Sequence, residues 1–310
     1  MEDRIRAALV STFPQLTEGP LNLIHIGSGA VSEVYRLQFG TYDFALKWMR
    51  PVRLDDMADV EGPLGTFRIH SIENEVLIHS RLSYLPSVVK YRGYVHHIND
   101  HFLIMDYLSG YITLLEYVKT GQVIMASVKT IINQLVQGLQ AIHKAGVAHR
   151  DIKPDNILIH PETLDIKFID LGLAKMEATA GIVGTIYYKP PEYIDVKTTY
   201  SLKAMQQGDI WSLGLTIYRL VAKDDYTILW YTFDFWRKFG EEFSKDFISE
   251  NAAFQHYHAK AIESFIQQDI NPTWSRYLPA KFAELHPEIY TCMLSMLKRN
   301  PDERRLEVIP

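Results

Sequence analysis

Cysteine is nearly absent: Cys292 is the only one in 310 residues. No internal disulfide can form, and a reducing compartment is the natural setting. Cys292 itself reads as a small packed hydrophobe on a helix. A strong charge of either sign is also missing. With 32 Lys and Arg against 37 Asp and Glu, the formal net charge is -5; this disfavours nucleic-acid binding through a basic field. There is no long apolar run. The most apolar helix-like stretch, 210–222, is interrupted by Arg219 and is shorter than a bilayer span, so it reads as a buried core helix. The first ten residues carry Glu2, Asp3, Arg4 and Arg6 and lack the apolar centre of a secretory leader. No internal repeat or low-complexity tract is evident. These absences point to a soluble cytoplasmic protein, with the nucleus left open, no membrane span and no nucleic-acid partner.

What is present divides along the chain. A hydrophobic content of 47% suffices for one large core or two modest lobes. The first third favours strands at 21–26, 31–39 and 42–49, separated by Gly27-Ser28-Gly29 and Gly40-Thr41. The stretch 51–66, with Pro51, Gly62, Pro63 and Gly65, reads as a loop. Ile72, Val76, Leu77, Leu82 and Leu85 predict a helix over 71–84, and strands follow at 88–96 and 101–106. After Gly110 the pattern turns helical. Ile124, Val128, Ile131, Ile132, Leu135, Leu139 and Ile142 mark one face of a long helix over 124–145. Loops are expected at 149–156, 170–192 and 271–273. The fold class is α+β, with a small strand-rich part before a larger helical one.

The segment His149-Arg150-Asp151-Ile152-Lys153-Pro154-Asp155-Asn156 concentrates reactive chemistry. Asp151 can orient a hydroxyl and accept its proton. Lys153 can neutralise a transferring phosphoryl group, and Asn156 offers a carbonyl oxygen suited to Mg²⁺. Fourteen residues on, Asp170-Leu171-Gly172 follows the strand-like 166–169, an aspartate released into a turn as a second metal ligand. In the first third, Lys47 shares a strand face with Ala45, and an inward lysine is costly unless paired. Glu75 on the following helix supplies the pairing better than Glu73. Gly27-Ser28-Gly29 lies between two strands, where glycine lets backbone approach phosphate oxygens; an ordinary glycine-rich turn explains the same residues.

Taken in order, these motifs resemble the eukaryotic-type protein kinase family over about residues 20–308, most closely its Ser/Thr group. The resemblance implies a bilobal fold, with a helical extension at 1–19, an N-lobe at 20–106 and a C-lobe at 107–310. It implies ATP with Mg²⁺, or Mn²⁺, as cofactors and a protein as substrate. Gly27, Gly29 and Val34 match the glycine-rich loop and its lid over adenine. Lys47 matches the strand lysine and Glu75 its partner. Met105 resembles the gatekeeper, Asp106-Tyr107-Leu108 the hinge, and Ala45 and Leu158 complete the adenine positions. Asp151, Lys153 and Asn156 match the catalytic loop and Asp170 the magnesium aspartate. Gly184 to Glu192 resembles the end of the activation segment, with Thr185 a contact to Asp151 and Lys153. Asp209 to Gly214 resembles the helix bracing the catalytic loop, and Arg304 the partner of Glu192.

The sequence departs from the pattern in places. Ser32 stands for the third glycine, Leu171 for Phe, Pro190 for Ala and His79 for an aliphatic residue. Gly181 stands where relatives carry a phosphoacceptor, leaving Thr179 as the nearest candidate and activity without phosphorylation open. The interval from Asp209 to Arg304 is long, and 223–286 is dense in aromatics such as Trp230, Phe235 and Trp236. That run reads as core or as a protein-docking surface. Two other readings are a scaffold that binds nucleotide without transfer and a small-molecule kinase. The first is disfavoured because Lys47, Glu75, Asp151, Asn156 and Asp170 are all present, the second by Lys153 and segment 184–192.

Overall fold

The structure, a computed structural model, describes residues 2–12, 21–28, 32–49, 64–181, 183–185, 188–190, 192–193, 198–222 and 281–310. Gly29, residues 51–63 of the expected loop 51–66, the loop 271–273 and almost all of the aromatic run 223–286 lie outside them. The chain forms two compact units, Met1–Tyr111 and Ile112–Pro310.

The first unit is built on an antiparallel sheet in the order β1-β2-β3-β5-β4. Its strands are β1 (Leu21–Ser28), β2 (Ser32–Phe39), β3 (Tyr42–Met49), β4 (Tyr91–His97) and β5 (Asp100–Asp106). Opposed residues in such a ladder point to the same face, so the register sorts the side chains into two sets. Tyr35, Leu46 and Ile104 oppose one another, as do Trp48 and Phe102. This face packs with Leu37 and Val95 against Ile5, Ala8 and Leu9 of helix α1 (Glu2–Thr12). Arg4 of α1 bonds Asp100 at 2.8 Å, and the Trp48 indole donates to the same carboxylate at 2.9 Å. That satisfies a buried charge that would otherwise be costly.

The other face carries Val34, Lys47 and Leu103 in one row and Ala45 with Met105 in the next. Helix α2 (Leu64–Leu82) supplies the partner of Lys47. It begins two turns before the position that apolar counting gives, within the stretch read as loop. Gly65 there falls in the first turn, where backbone N–H groups lack intrahelical partners anyway. The buried positions of its C-terminal half are Glu75, Ile78, His79 and Leu82, while Leu77 is 55% exposed. Two polar residues occupy the inward stripe, so counting apolar residues alone rotates the helix.

The second unit is mainly helical. It begins with β6 (Ile112–Thr113) and α3 (Leu114–Lys119), the latter closed by a Thr113–Glu116 capping box. α4 (Met125–Lys144) buries Val128, Ile131, Ile132, Leu135, Leu139 and Ile142; Ile124 is its N-cap and is exposed. A 3₁₀ turn at Pro154–Asn156 leads into β7 (Ile157–Ile159), which pairs with β6 and with β8 (Ile166–Phe168). Short strands β9 (Thr179–Ala180) and β10 (Thr199–Tyr200) pair antiparallel. α5 (Leu202–Ala222) is buried from Gly208 to Ala222 except at Arg219. It extends the apolar stretch read from sequence by two turns at its N-terminal end. α6 (Phe282–Leu285) and α7 (Pro287–Met296) follow. Cys292 lies on α7, and burial pushes its thiol up to about 11, so it packs as a neutral group.

Candidate active site

In the first unit the Lys47 ammonium meets the Glu75 carboxylate at 2.7 Å, both residues being buried. Glu73 is exposed, as the spacing argument requires. Gly27 opposes Val34 across a register shift in β1. A Cβ at Gly27 would meet nothing within 4 Å among the described residues, so its missing side chain leaves open space. Ser32, at the third-glycine position, is buried opposite Met49.

Met105 is almost fully buried at the end of β5. Beyond it, the Asp106 N–H donates to the Lys90 carbonyl at 3.0 Å, and its carboxylate is held by the Arg92 guanidinium. Tyr107 lies under the Arg36 guanidinium at 4.2 Å, and Arg36 is itself fixed by a two-pronged bond to Asp43. The Leu108 carbonyl accepts from Tyr111. Segment 106–108 is thus held through the side chains of Asp106 and Tyr107. Leu158 belongs to the second unit, half-buried on β7.

In the second unit Asp151 stands at the centre of a polar net. Its Oδ1 accepts from the Thr185 N–H at 2.7 Å and the Thr185 hydroxyl at 2.8 Å. Its Oδ2 accepts from Asn156 Nδ2 at 2.8 Å and lies 3.1 Å from Lys153 Nζ. Lys153 also donates to Thr185 Oγ1 at 2.7 Å. Gly184 makes this possible. At φ +89° its backbone lies so close to segment 149–156 that a Cβ would sit 2.4 Å from the Arg150 carbonyl oxygen.

Below the loop lies Asp209 of α5, 2% exposed. Its carboxylate accepts from the N–H groups of His149 (2.8 Å) and Arg150 (2.7 Å) and from the His143 ring at 2.9 Å. Arg150 has φ +68°, a strained left-handed conformation for a bulky residue. Those two N–H bonds are what over-determine it.

The Asn156 amide nitrogen faces two acceptors, the Asp151 carbonyl and carboxylate, which turns its carbonyl oxygen the other way. The Ile169 N–H donates to the Asn156 backbone carbonyl at 3.0 Å, and the Ile169 carbonyl pairs with the His149 ring. Asp170 follows at once, exposed and at φ +59°. Among the described residues there is no group of three or more His, Cys, Asp or Glu fit to hold a metal. A carboxylate and an amide oxygen suit Mg²⁺, which takes one or two protein oxygens and completes its shell with phosphate and water.

Some neighbours carry no sequence signal. Lys189, half-buried, shares a small cavity with Asp151; burial lowers its pKa and Asp151 raises it. His143 is one more residue in a helix until α5 brings Asp209 to it. Arg150 donates to the carbonyls of Leu173 and Gly181, each at 3.3 Å. Thr179 is half-exposed on β9. Glu192 and fully buried Arg304 form a two-pronged pair at 2.6 and 2.7 Å. Ile186, Tyr187 and Pro191 lie outside the described residues. No helix among the described residues is long and apolar enough to cross a membrane.

The family model described as "Protein kinase domain" matches residues 22–305. The chain is 30% identical over 204 residues to "Mitogen-activated protein kinase kinase kinase 1a" of Physcomitrium patens, covering 64% of this chain and 25% of that one. It is 30% identical over 206 residues to "Serine/threonine-protein kinase shk1/pak1" of Schizosaccharomyces pombe, covering 64% and 28%. With "Aurora kinase" of Dictyostelium discoideum it shares 33% over 162 residues, covering 51% and 40%. The matched part is therefore less than half the length of each of these relatives.

Proposed function

The chain belongs to the protein kinase domain family, and from that premise we propose that it transfers the γ-phosphoryl group of ATP, with Mg²⁺, to Ser or Thr hydroxyls of a protein substrate. The observation that carries this reading is the setting of Asp151. Three donors and the Lys153 cation hold both its oxygens, which fixes a general base in space before a hydroxyl arrives.

The remaining roles follow from charge. Lys47, held by Glu75, binds nucleotide phosphates, while Gly27 and Gly29 let backbone approach them. Val34, Ala45, Met105 and Leu158 contact the adenine, and the backbone of Asp106 and Leu108 reads its edge. Asn156 and Asp170 hold Mg²⁺, which when bound offsets the phosphate charge. Lys153 balances charge on the group in transit. Its bond to Thr185 supports the Ser/Thr reading, as does the likeness to the fission-yeast Serine/threonine-protein kinase shk1/pak1. The organisation proposed is an N-lobe of 20–106 behind a helical extension, and a C-lobe of 107–310 whose segment 223–286 is core or a docking surface.

The test is phosphoryl transfer to generic protein substrates with Mg²⁺, wild type against Asp151→Asn. Loss of the base is expected to lower kcat by about 10²–10⁴-fold with nucleotide affinity kept, and phosphoamino-acid analysis should return Ser and Thr. Nucleotide binding with equal, negligible transfer by both proteins would identify a nucleotide-binding scaffold instead.

A further inference from the structure

His79 lies on the inward stripe of α2, one helical turn after Glu75, and is 1% exposed. Its Nε2 is 2.8 Å from the Val89 carbonyl oxygen. A carbonyl can only accept, so Nε2 carries the ring proton and Nδ1 is left a bare acceptor. That Nδ1 is buried and has no partner among the described residues, an arrangement an aliphatic side chain would avoid. Val89 precedes β4, and the next carbonyl, that of Lys90, accepts the Asp106 N–H. A two-residue stretch of backbone thus joins α2 on one side to the end of β5 on the other. The Ser83 hydroxyl, just past α2, adds a bond from the Tyr91 N–H at 3.1 Å.

We propose that His79 is a positioning residue, a polar latch whose hydrogen bond to the Val89 carbonyl sets the rotation of α2 and so aims Glu75 at Lys47. Greasy packing can hold a helix against a sheet yet leaves it free to turn; a directed bond from the same stripe does not. Glu75 and His79 are related by i, i+4, so their side chains rise from one face, one above the other. A turn of the helix that broke the His79 bond would also swing Glu75 away. Among the described residues the charge that acts on the ring is that of Lys47 on β3, Tyr91 on β4 lies with its ring centroid 6.0 Å away, and Glu75 stands one turn earlier on the same helix. Burial and the Lys47 charge keep the imidazole neutral, and the Nε2–H donor that the Val89 carbonyl selects would be present in the protonated ring as well.

The latch rests on the phosphoryl-transfer reading only for its consequence, and its test reads both separately. Three full-length variants divide its elements: His79→Leu keeps bulk without a donor, His79→Gln keeps a donor near Nε2 without the ring, and His79→Ala keeps neither. Hydrogen exchange across 72–82 and affinity for a non-hydrolysable ATP analogue are measured beside transfer. His79→Leu should speed exchange and weaken analogue binding by about three- to tenfold, and His79→Gln should stay within about twofold of wild type. In a Glu75→Gln background His79→Leu should still speed exchange yet cost little further affinity. Wild-type exchange and affinity in His79→Leu, or His79→Gln as poor as His79→Ala, would overturn the latch. If the wild type transfers nothing, the transfer reading fails while exchange still judges the latch.

Discussion

Asp151 and Glu75 are both carboxylates that need fixed positions, and the two units supply them differently. Around Asp151 the fixing is local: neighbours within five residues, Lys153 and Asn156, meet Thr185. Beneath it Asp209 grips the loop by its backbone N–H groups. Glu75 is placed by the seating of a whole helix, and its ion pair with Lys47 joins β3 to α2. A loop clamped by backbone bonds has no neighbouring state of low energy. A helix on a sheet has many, differing by small rotations. The difference teaches that damage should be abrupt at the first site and graded at the second.

The largest effect is expected at Asp209. Asp209→Ala leaves two buried N–H groups and the His143 ring without their acceptor. Thermal unfolding should report a loss of about 3–5 kcal/mol, with transfer abolished. A near-native melting temperature with full activity would show that the clamp is dispensable. Glu75→Gln tests the graded side. It removes one charge of a buried pair, and the KM for ATP should rise by about 10–100-fold, as expected for a charge-assisted bond, without loss of the fold.

Acid sharpens the comparison further. His79 titrates near 4 in the folded chain against an ordinary value of 6.5. Between those values the unfolded chain binds the proton and the folded one does not. Stability is therefore full above about pH 6.5 and falls as pH drops towards 4, by an amount on the order of 3 kcal/mol. Denaturant titrations of wild type and His79→Leu should differ by this slope, and equal slopes would remove it. The smallest effect is expected at Thr179. Arg150 already donates to the Gly181 carbonyl, so Thr179→Ala should keep transfer within about twofold. Intact-mass measurement of the active protein should find Thr179 unmodified; a required phosphate there would show as loss of transfer in the variant.

Much of the site is legible in the residues because the spacing is short. Asp151, Lys153 and Asn156 lie within six positions, and any backbone that turns there brings them together. Lys47 and Glu75 are 28 apart, yet the strand pattern and the cost of burying an unpaired lysine identify them as partners. The rotation of α2 is not legible. Its inward stripe holds Glu75 and His79, and no count of apolar residues selects a face that carries both. The pairing of His143 with Asp209, 66 residues apart, has no local signature either, nor has the cavity Lys189 shares with Asp151.

The sequence by itself determined the fold class, the family and the groups available for chemistry, since local spacing and side-chain type specify these. Tertiary structure decided their constraint. Asp209 became a clamp only when α5 was buried under residues 149–150, and His79 a latch only when α2 met the strand-lead at Val89. Both depend on buried polar groups finding partners far along the chain. The cost of leaving such groups unpaired acts only after packing has excluded water.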